Sequence, residues 1–119
     1  MVQSVQGGEL MDKIRAIIKR TGEPVGHMTN ISNTLENLQN IVGGYIETVT
    51  CPNGVVIICN EEGLMNMLPI NCTIFPGNLS ATMTFVGDII VVGSKGDEFA
   101  DVPIDLETWK TDYLGMEGD

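Results

Sequence analysis

A single histidine, His27, must serve any imidazole chemistry this chain performs. That excludes a metal site built on several imidazoles within one copy, and a Ser-His-Asp or Cys-His pair would depend on this one residue. His27 alternates with Val25 and Thr29 in a segment that reads as a strand, which is a structural setting. Cys51, Cys59 and Cys72 are odd in number, show no C-x-x-C spacing and have no Lys, Arg or His beside them to lower a thiol pKa. They read as packing thiols in a reducing cytosol. Glu61 and Glu62 stand together in a turn after an apolar run, a place where general acids and bases occur but where solvated turn charges are commoner. Asp97, Glu98 and Asp101 lack calcium-loop spacing, and no phosphate-cradling glycine loop or nucleophile elbow is present. The inventory predicts a protein that is not an enzyme and that uses no metal and no cofactor.

What remains is recognition. Tyr45, Glu47, Asn60, Glu61 and Asn71 are polar or aromatic residues expected at strand ends, where loops converge on a ligand. An amide or carboxylate there can hydrogen-bond a base edge while Tyr45 stacks on it, so the five are the predicted ligand-binding set. A second candidate surface is the acidic series Asp97, Glu98, Asp101, Asp105, Glu107 and Asp112, suited to a basic face on another protein. Sixteen carboxylates against six Lys and Arg give a formal charge of −10. That field opposes nucleic acid and anionic membrane surfaces at long range. An anionic ligand needs Lys13, Arg15, Lys19 or Arg20 to line its site.

These residues need a frame, and 119 residues supply one ordinary domain. The clearest unit is Ser32 to Val49. Asn33 is placed to cap a helix with Glu36 reaching back to it, and Leu35, Leu38, Ile41 and Val42 form one apolar stripe. Gly43 and Gly44 end the helix and turn the chain into a strand at Tyr45 to Thr50. Before it, Lys13 to Lys19 reads as a strand joined through the Thr21–Pro24 turn to the alternating Val25–Ile31 segment. After Pro52-Asn53-Gly54, the all-apolar Val55–Cys59 run reads as a strand covered on both faces, and Ile89–Val92 reads the same way. Leu64 to Gly77, broken by Pro69 and Pro76, reads as loop with short extended pieces. A strand is expected from Leu79 to Phe85, an exposed acidic stretch at Asp97 to Asp101, and a last helix capped by Asp105 that ends near Leu114. The predicted fold class is α+β. Its sheet has about five mostly antiparallel strands, with a mixed sheet as the alternative, a central helix and a short C-terminal helix. Residues 1–10 are expected to be a flexible leader or expression remnant, 11–114 the domain, and 115–119 a frayed tail.

The helix running into Gly43-Gly44-Tyr45-Ile46-Glu47, the Asn60-Glu61-Glu62-Gly63 turn, the Leu68-Pro69-x-Asn71 step and the later Gly87 and Gly93 resemble, in that order, the family called domain of unknown function 3846. The resemblance covers most of Met11 to Leu114. The Asn71–Gly87 segment is more apolar and threonine-rich than the family pattern. Such proteins are similar to small accessory products of phages, plasmids and conjugative elements in bacteria, and the family carries no assigned activity. The resemblance therefore implies a cytoplasmic counter-defence protein. Two roles follow. One is a non-catalytic binder that sequesters a small nucleotide-type immune signal where two copies meet, and the alternative is an acidic inhibitor of a host defence nuclease. Self-association is expected, because open strand edges invite pairing.

Overall fold

A computed structural model describes residues 13–76 and 81–117. The chain order is β1 (Lys13–Lys19), β2 (His27–Ser32), α1 (Leu35–Val42), β3 (Ile46–Thr50), β4 (Val56–Asn60), β5 (Ile70–Ile74), β6 (Met83–Val86), β7 (Ile89–Lys95), β8 (Glu98–Ala100) and α2 (Leu106–Thr108), which widens into a π turn at Trp109–Tyr113. The main sheet runs β2-β1-β7-β4-β3 with β8 added to β7, and β5 pairs with β6 alone. Every pairing among the described residues is antiparallel, which removes the mixed alternative and raises the expected five strands to six plus a hairpin.

The two apolar runs behave as their composition dictates. β4 and β7 lie next to each other inside the sheet and are covered on both faces. Ile17, Ile57, Ile89 and Val91 pack on one face against Trp109, Tyr113, Ile74 and Phe85. Ala16, Ile18, Ile58, Ile90 and Val92 pack on the other against Leu38 and Val42 of α1. The molecule is thus a sheet with a helix on one side, and the β5–β6 hairpin with the C-terminal turn on the other. Burying Leu38 and Val42 stabilises the helix layer by about 1.5–3 kcal/mol each. The buried Trp109 satisfies its one donor by giving Nε1–H to Val25 O at 2.9 Å.

Several local expectations shift. Thr34, not Asn33, caps α1, its Oγ1 accepting from Asn37 N at 3.1 Å, because Asn33 turns away to donate to Phe99 O. Glu36 then falls at the second helical position, outside the capping-box geometry. The stretch read as loop with short extended pieces contains β5, and Leu79 lies outside the described residues, so the following strand is described from Met83. β7 continues through Gly93 to Lys95 and pairs with β8 inside the acidic stretch. A side chain at Gly93 would overlap Asp101 O, so only glycine lets the chain cross there. Asp105 caps α2 as expected, but after one turn Leu114 N bonds Trp109 O, five residues back. Met116 N still bonds Lys110 O, within the segment expected to fray, while residues 1–10 lie outside the described region. No described helix is long and apolar enough to cross a membrane.

Candidate functional site

Four of the five predicted ligand-binding residues meet at one end of the sheet, where α1 stops and β3 begins beside the end of β4. Gly43 adopts φ 86°, and Gly43 N and Gly44 N both bond Gln39 O, which closes the helix. Asn60 fixes the junction. It is 8% exposed, its Nδ2 donates to Val42 O at 3.1 Å, and its Oδ1 accepts from Glu62 N at 2.8 Å. Glu61 N bonds Tyr45 O at 2.8 Å, so the turn after β4 is held to the start of β3. The Asn60 amide is therefore engaged on both sides by backbone. It shapes the site and has little left for a ligand.

Two depressions share Asn60. One, of about 230 Å³, lies between the sheet and β6 and is lined by Glu47, Val49, Cys59, Glu61, Leu64 and Phe85 among others. The other, of about 470 Å³, is lined by Gln39, Asn40, Gly43, Gly44, Tyr45, Asn60, Glu62 and Asn66. Tyr45 is 66% exposed, so its ring is open to a stacking partner. Carboxylates, amides and the carbonyl end of α1 make this surface acceptor-rich. Among the described residues no Lys or Arg lines either depression. Arg15 pairs with Asp101, Arg20 pairs with Asp88 at 2.8 Å, and Lys19 is buried.

Asn71 lies elsewhere. Its Oδ1 accepts from Lys19 Nζ at 2.8 Å while its Nδ2 donates to Lys19 O and Gly87 O. Lys19 Nζ also donates to Glu23 O at 2.6 Å, so an ammonium only 3% exposed is held by a carbonyl and a neutral amide. Asn71 is thus a clamp for Lys19 and the β6–β7 turn, and the structure does not bring it to the other four. In the sequence Lys19 reads with Lys13, Arg15 and Arg20 as a residue that could line an anion site, since nothing in Lys13–Lys19 marks one lysine as internal.

The groups capable of nucleophilic chemistry are poorly placed for it. Burial, assisted by the Glu47 charge, pushes the Cys59 thiol up to about 11, and burial also raises Cys51 and Cys72. His27 Nδ1 meets Glu23 Oε2 at 3.0 Å on the half-exposed β1–β2 turn, away from both depressions. The Arg20 backbone N–H and then His27 hold the Glu23 carboxyl below its ordinary value against desolvation. Among the described residues no group of three or more His, Cys, Asp or Glu is arranged to hold a metal. In the acidic series, Asp101 is tied to Arg15 and Asp105 caps α2, while Asp97 and Glu98 sit on the β7–β8 hairpin beside Thr48 and Thr50.

One feature carried only a weak sequence signal. Leu64, Met65 and Met67 of the β4–β5 connection and Ile70 at the start of β5 stand exposed beside the same site, Met67 being 86% exposed. The sequence favours core filling for Met65 and Met67 over an adaptable contact surface, and their exposure corrects that reading, since both stand on the surface.

A family model described as Domain of unknown function (DUF3846) matches residues 14–114. No curated protein and no solved structure matches the chain.

Proposed function

Since the chain belongs to the family described as Domain of unknown function (DUF3846), a membership that assigns no activity, we propose from the site itself that it is a non-catalytic binding protein. It sequesters a small nucleotide-type ligand through the base, with Tyr45, Glu47 and Glu61 as the recognising side chains. The supporting observation is an open aromatic in one of two depressions that share Asn60, both rich in acceptors and neither lined by a Lys or Arg among the described residues. A planar heterocycle with amino or ring N–H donors matches carboxylate acceptors and stacks on tyrosine. Phosphate does not match. At about 5 Å from Glu47 or Glu61 a phosphate charge meets a repulsion of roughly 3 kcal/mol at an effective dielectric of about 20, more than a hundredfold in affinity. Any phosphates on the ligand therefore point to solvent. The counter-defence setting rests on the resemblance to accessory proteins of mobile elements.

A melting-shift panel of nucleobases, nucleosides and nucleotides tests this. Ligand at about 100 times Kd stabilises by roughly 2.7 kcal/mol, on the order of 10 °C for a domain of this size. The expected ranking puts nucleosides at or above their polyphosphates, and Tyr45→Ala and Glu61→Gln remove the shift. A flat panel, or ligand recovered chemically altered after heat denaturation, sinks the reading.

A second reading has its own observation. The exposed Leu64, Met65, Met67 and Ile70 next to Glu61 and Glu62 suit a protein partner with an apolar groove and a basic rim, as an inhibitor of a host nuclease requires. Such binding weakens with salt and on replacing Met65 and Met67 by Ser, neither of which affects nucleoside capture.

A further inference from the structure

Among the described residues β3 ends the main sheet, and its backbone shows which of its groups have no partner there. The β3–β4 register pairs Ile46 with Asn60, Thr48 with Ile58 and Thr50 with Val56. Just outside it, Glu61 N bonds Tyr45 O and Cys51 N bonds Val55 O, both on the same register. In an antiparallel ladder bonded and non-bonded pairs alternate, so Tyr45, Glu47, Val49 and Cys51 direct their N–H and C=O toward β4. Ile46, Thr48 and Thr50 then direct theirs away from the molecule. These three residues are symmetric about Thr48. The strand carries no Pro and no bulge to blunt an open edge, and its one charge, Glu47, lines the depression on a face of the sheet and does not lie along that edge.

We infer that two copies pair antiparallel along β3, with a two-fold axis at Thr48. Thr48 faces its own counterpart, Ile46 faces Thr50 of the partner subunit, and every outward N–H and C=O of the three finds a complement. Side chains fit the same register. Threonine meets threonine, and Glu47 meets Val49 of the partner subunit, so no like charges stand directly opposite despite the net charge of −10. Shifting the register by two residues, so that Ile46 faces Thr48 of the partner subunit, would set Glu47 against its own copy. Tyr45 lies at the end of the seam, beside Cys51 of the partner subunit, and its exposed ring stays free for a ligand.

The pairing completes the site, and this part rests on the ligand-binding reading above. Glu47 and Val49 line the 230 Å³ depression and lie at the seam. In the dimer the next strand, about 4.8 Å away, supplies Val49 and Glu47 of the partner subunit to the same face, so the two copies of this depression open onto one cleft across the axis.

The test uses the full chain. Light scattering across a micromolar concentration series is expected to reach twice 12.9 kDa, and a mass that stays at 12.9 kDa overturns the inference. Thr48→Cys is expected to form a disulfide-linked dimer under mild oxidation, since bonded antiparallel partners have Cα atoms about 5.5 Å apart, within disulfide range. Thr50→Cys is the control, because its counterpart lies roughly 13 Å along the strand. A dimer by mass in which position 48 does not cross-link, or cross-links no faster than position 50, means another interface and also overturns it. Thr48→Lys, with folding checked by circular dichroism, is expected to shift the dimer to monomer at least tenfold. Nucleoside melting shifts on this variant and on the wild type separate the two ideas. A wild-type shift with a monomeric wild type leaves the ligand reading standing without the dimer, and a dimer with no shift leaves the reverse.

Discussion

Replacing Asn60 isolates the junction on which the site is built. Its amide donates to Val42 O at 3.1 Å and accepts from Glu62 N at 2.8 Å, in a position 8% exposed. Asn60→Ala strands a helix-terminal carbonyl and a turn N–H, at about 1–3 kcal/mol for each group that water does not reach. Val42 is buried and Glu62 is not, so the expected loss is about 3 kcal/mol, or roughly 10–15 °C in Tm. Asn60→Asp is more telling. It keeps the acceptor for Glu62 N but turns a charged oxygen toward Val42 O, at the negative end of α1 and beside Glu61 and Glu62. The expected loss at neutral pH is at least that of Asn60→Ala.

The sign with pH follows from the same geometry. The bond from Glu62 N–H favours ionisation of the introduced carboxyl, but burial, the facing Val42 carbonyl and the nearby Glu61 and Glu62 charges outweigh it, so its folded pKa lies above its unfolded value near ~3.9. Its penalty is complete above the folded pKa and falls away as pH drops through it, when the protonated group can donate to Val42 O. Urea unfolding followed by Trp109 fluorescence, at neutral pH and again near pH ~4.5, should show the Asn60→Asp deficit shrinking relative to wild type while the Asn60→Ala deficit stays level. Gly44→Ala supplies an independent check, because its Cβ would stand 2.9 Å from Asn60 Nδ2. Its cost should fall in the Asn60→Ala background. An Asn60→Asp protein within about 0.5 kcal/mol of wild type, or a deficit indifferent to pH, would refute the assigned bonds.

Asn71→Ala removes an acceptor from the buried Lys19 ammonium and partners from Lys19 O and Gly87 O, for an expected loss of about 3 kcal/mol. Adding Lys19→Met should recover part of it, and a double-mutant cycle additive within about 0.3 kcal/mol counts against the clamp. Glu23, its carboxyl held low chiefly by the Arg20 N–H, contributes stability present above its unfolded pKa and lost as pH falls through the lower folded value. Glu23→Gln should therefore cost under about 1 kcal/mol at neutral pH, since the group is a third exposed, and nothing in strong acid. The raised Cys59 thiol predicts slow alkylation of the native protein at neutral pH and fast alkylation in urea, read by mass spectrometry; rapid native labelling would contradict it.

What the sequence shows of this fold depends on how local the cause is. β4 and β7 are legible because strands buried on both faces have little freedom in composition, and the β1–β2 hairpin is announced by its turn residues. β5 is not, since Pro69 and Asn71 argue against a strand. It forms because Asn71 is bonded to distant backbone and Thr73 meets Thr84 across the hairpin at 2.9 Å between hydroxyl oxygens. The cap of α1 moved by one residue for a similar reason. Asn33 and Thr34 are both good caps locally, and the contact of Asn33 with Phe99 O, 66 positions away, decides between them. The candidate site divides the same way. An asparagine at a strand end looks identical in sequence whether its amide faces a ligand or the backbone of another segment, so Tyr45, Glu47 and Glu61 could not be told from Asn60 and Asn71.

That division gives the site its physical logic. Asn60 and Asn71 are saturated by backbone groups far away in sequence, which fixes the turns they hold. Tyr45, Glu47 and Glu61 sit on those fixed turns and strands with their side chains uncommitted. Recognition groups on a rigid frame lose less freedom on binding than groups on a mobile loop, so moderate contacts suffice for useful affinity. The charge arrangement works in the same direction. Arg15 and Arg20 are neutralised by Asp101 and Asp88, and Lys19 is turned inward, while Glu47, Glu61 and Glu62 face out. A chain that pairs or buries three of its six cations leaves this end as a field of acceptors, and discrimination there follows from donors on the ligand and from the exclusion of anions.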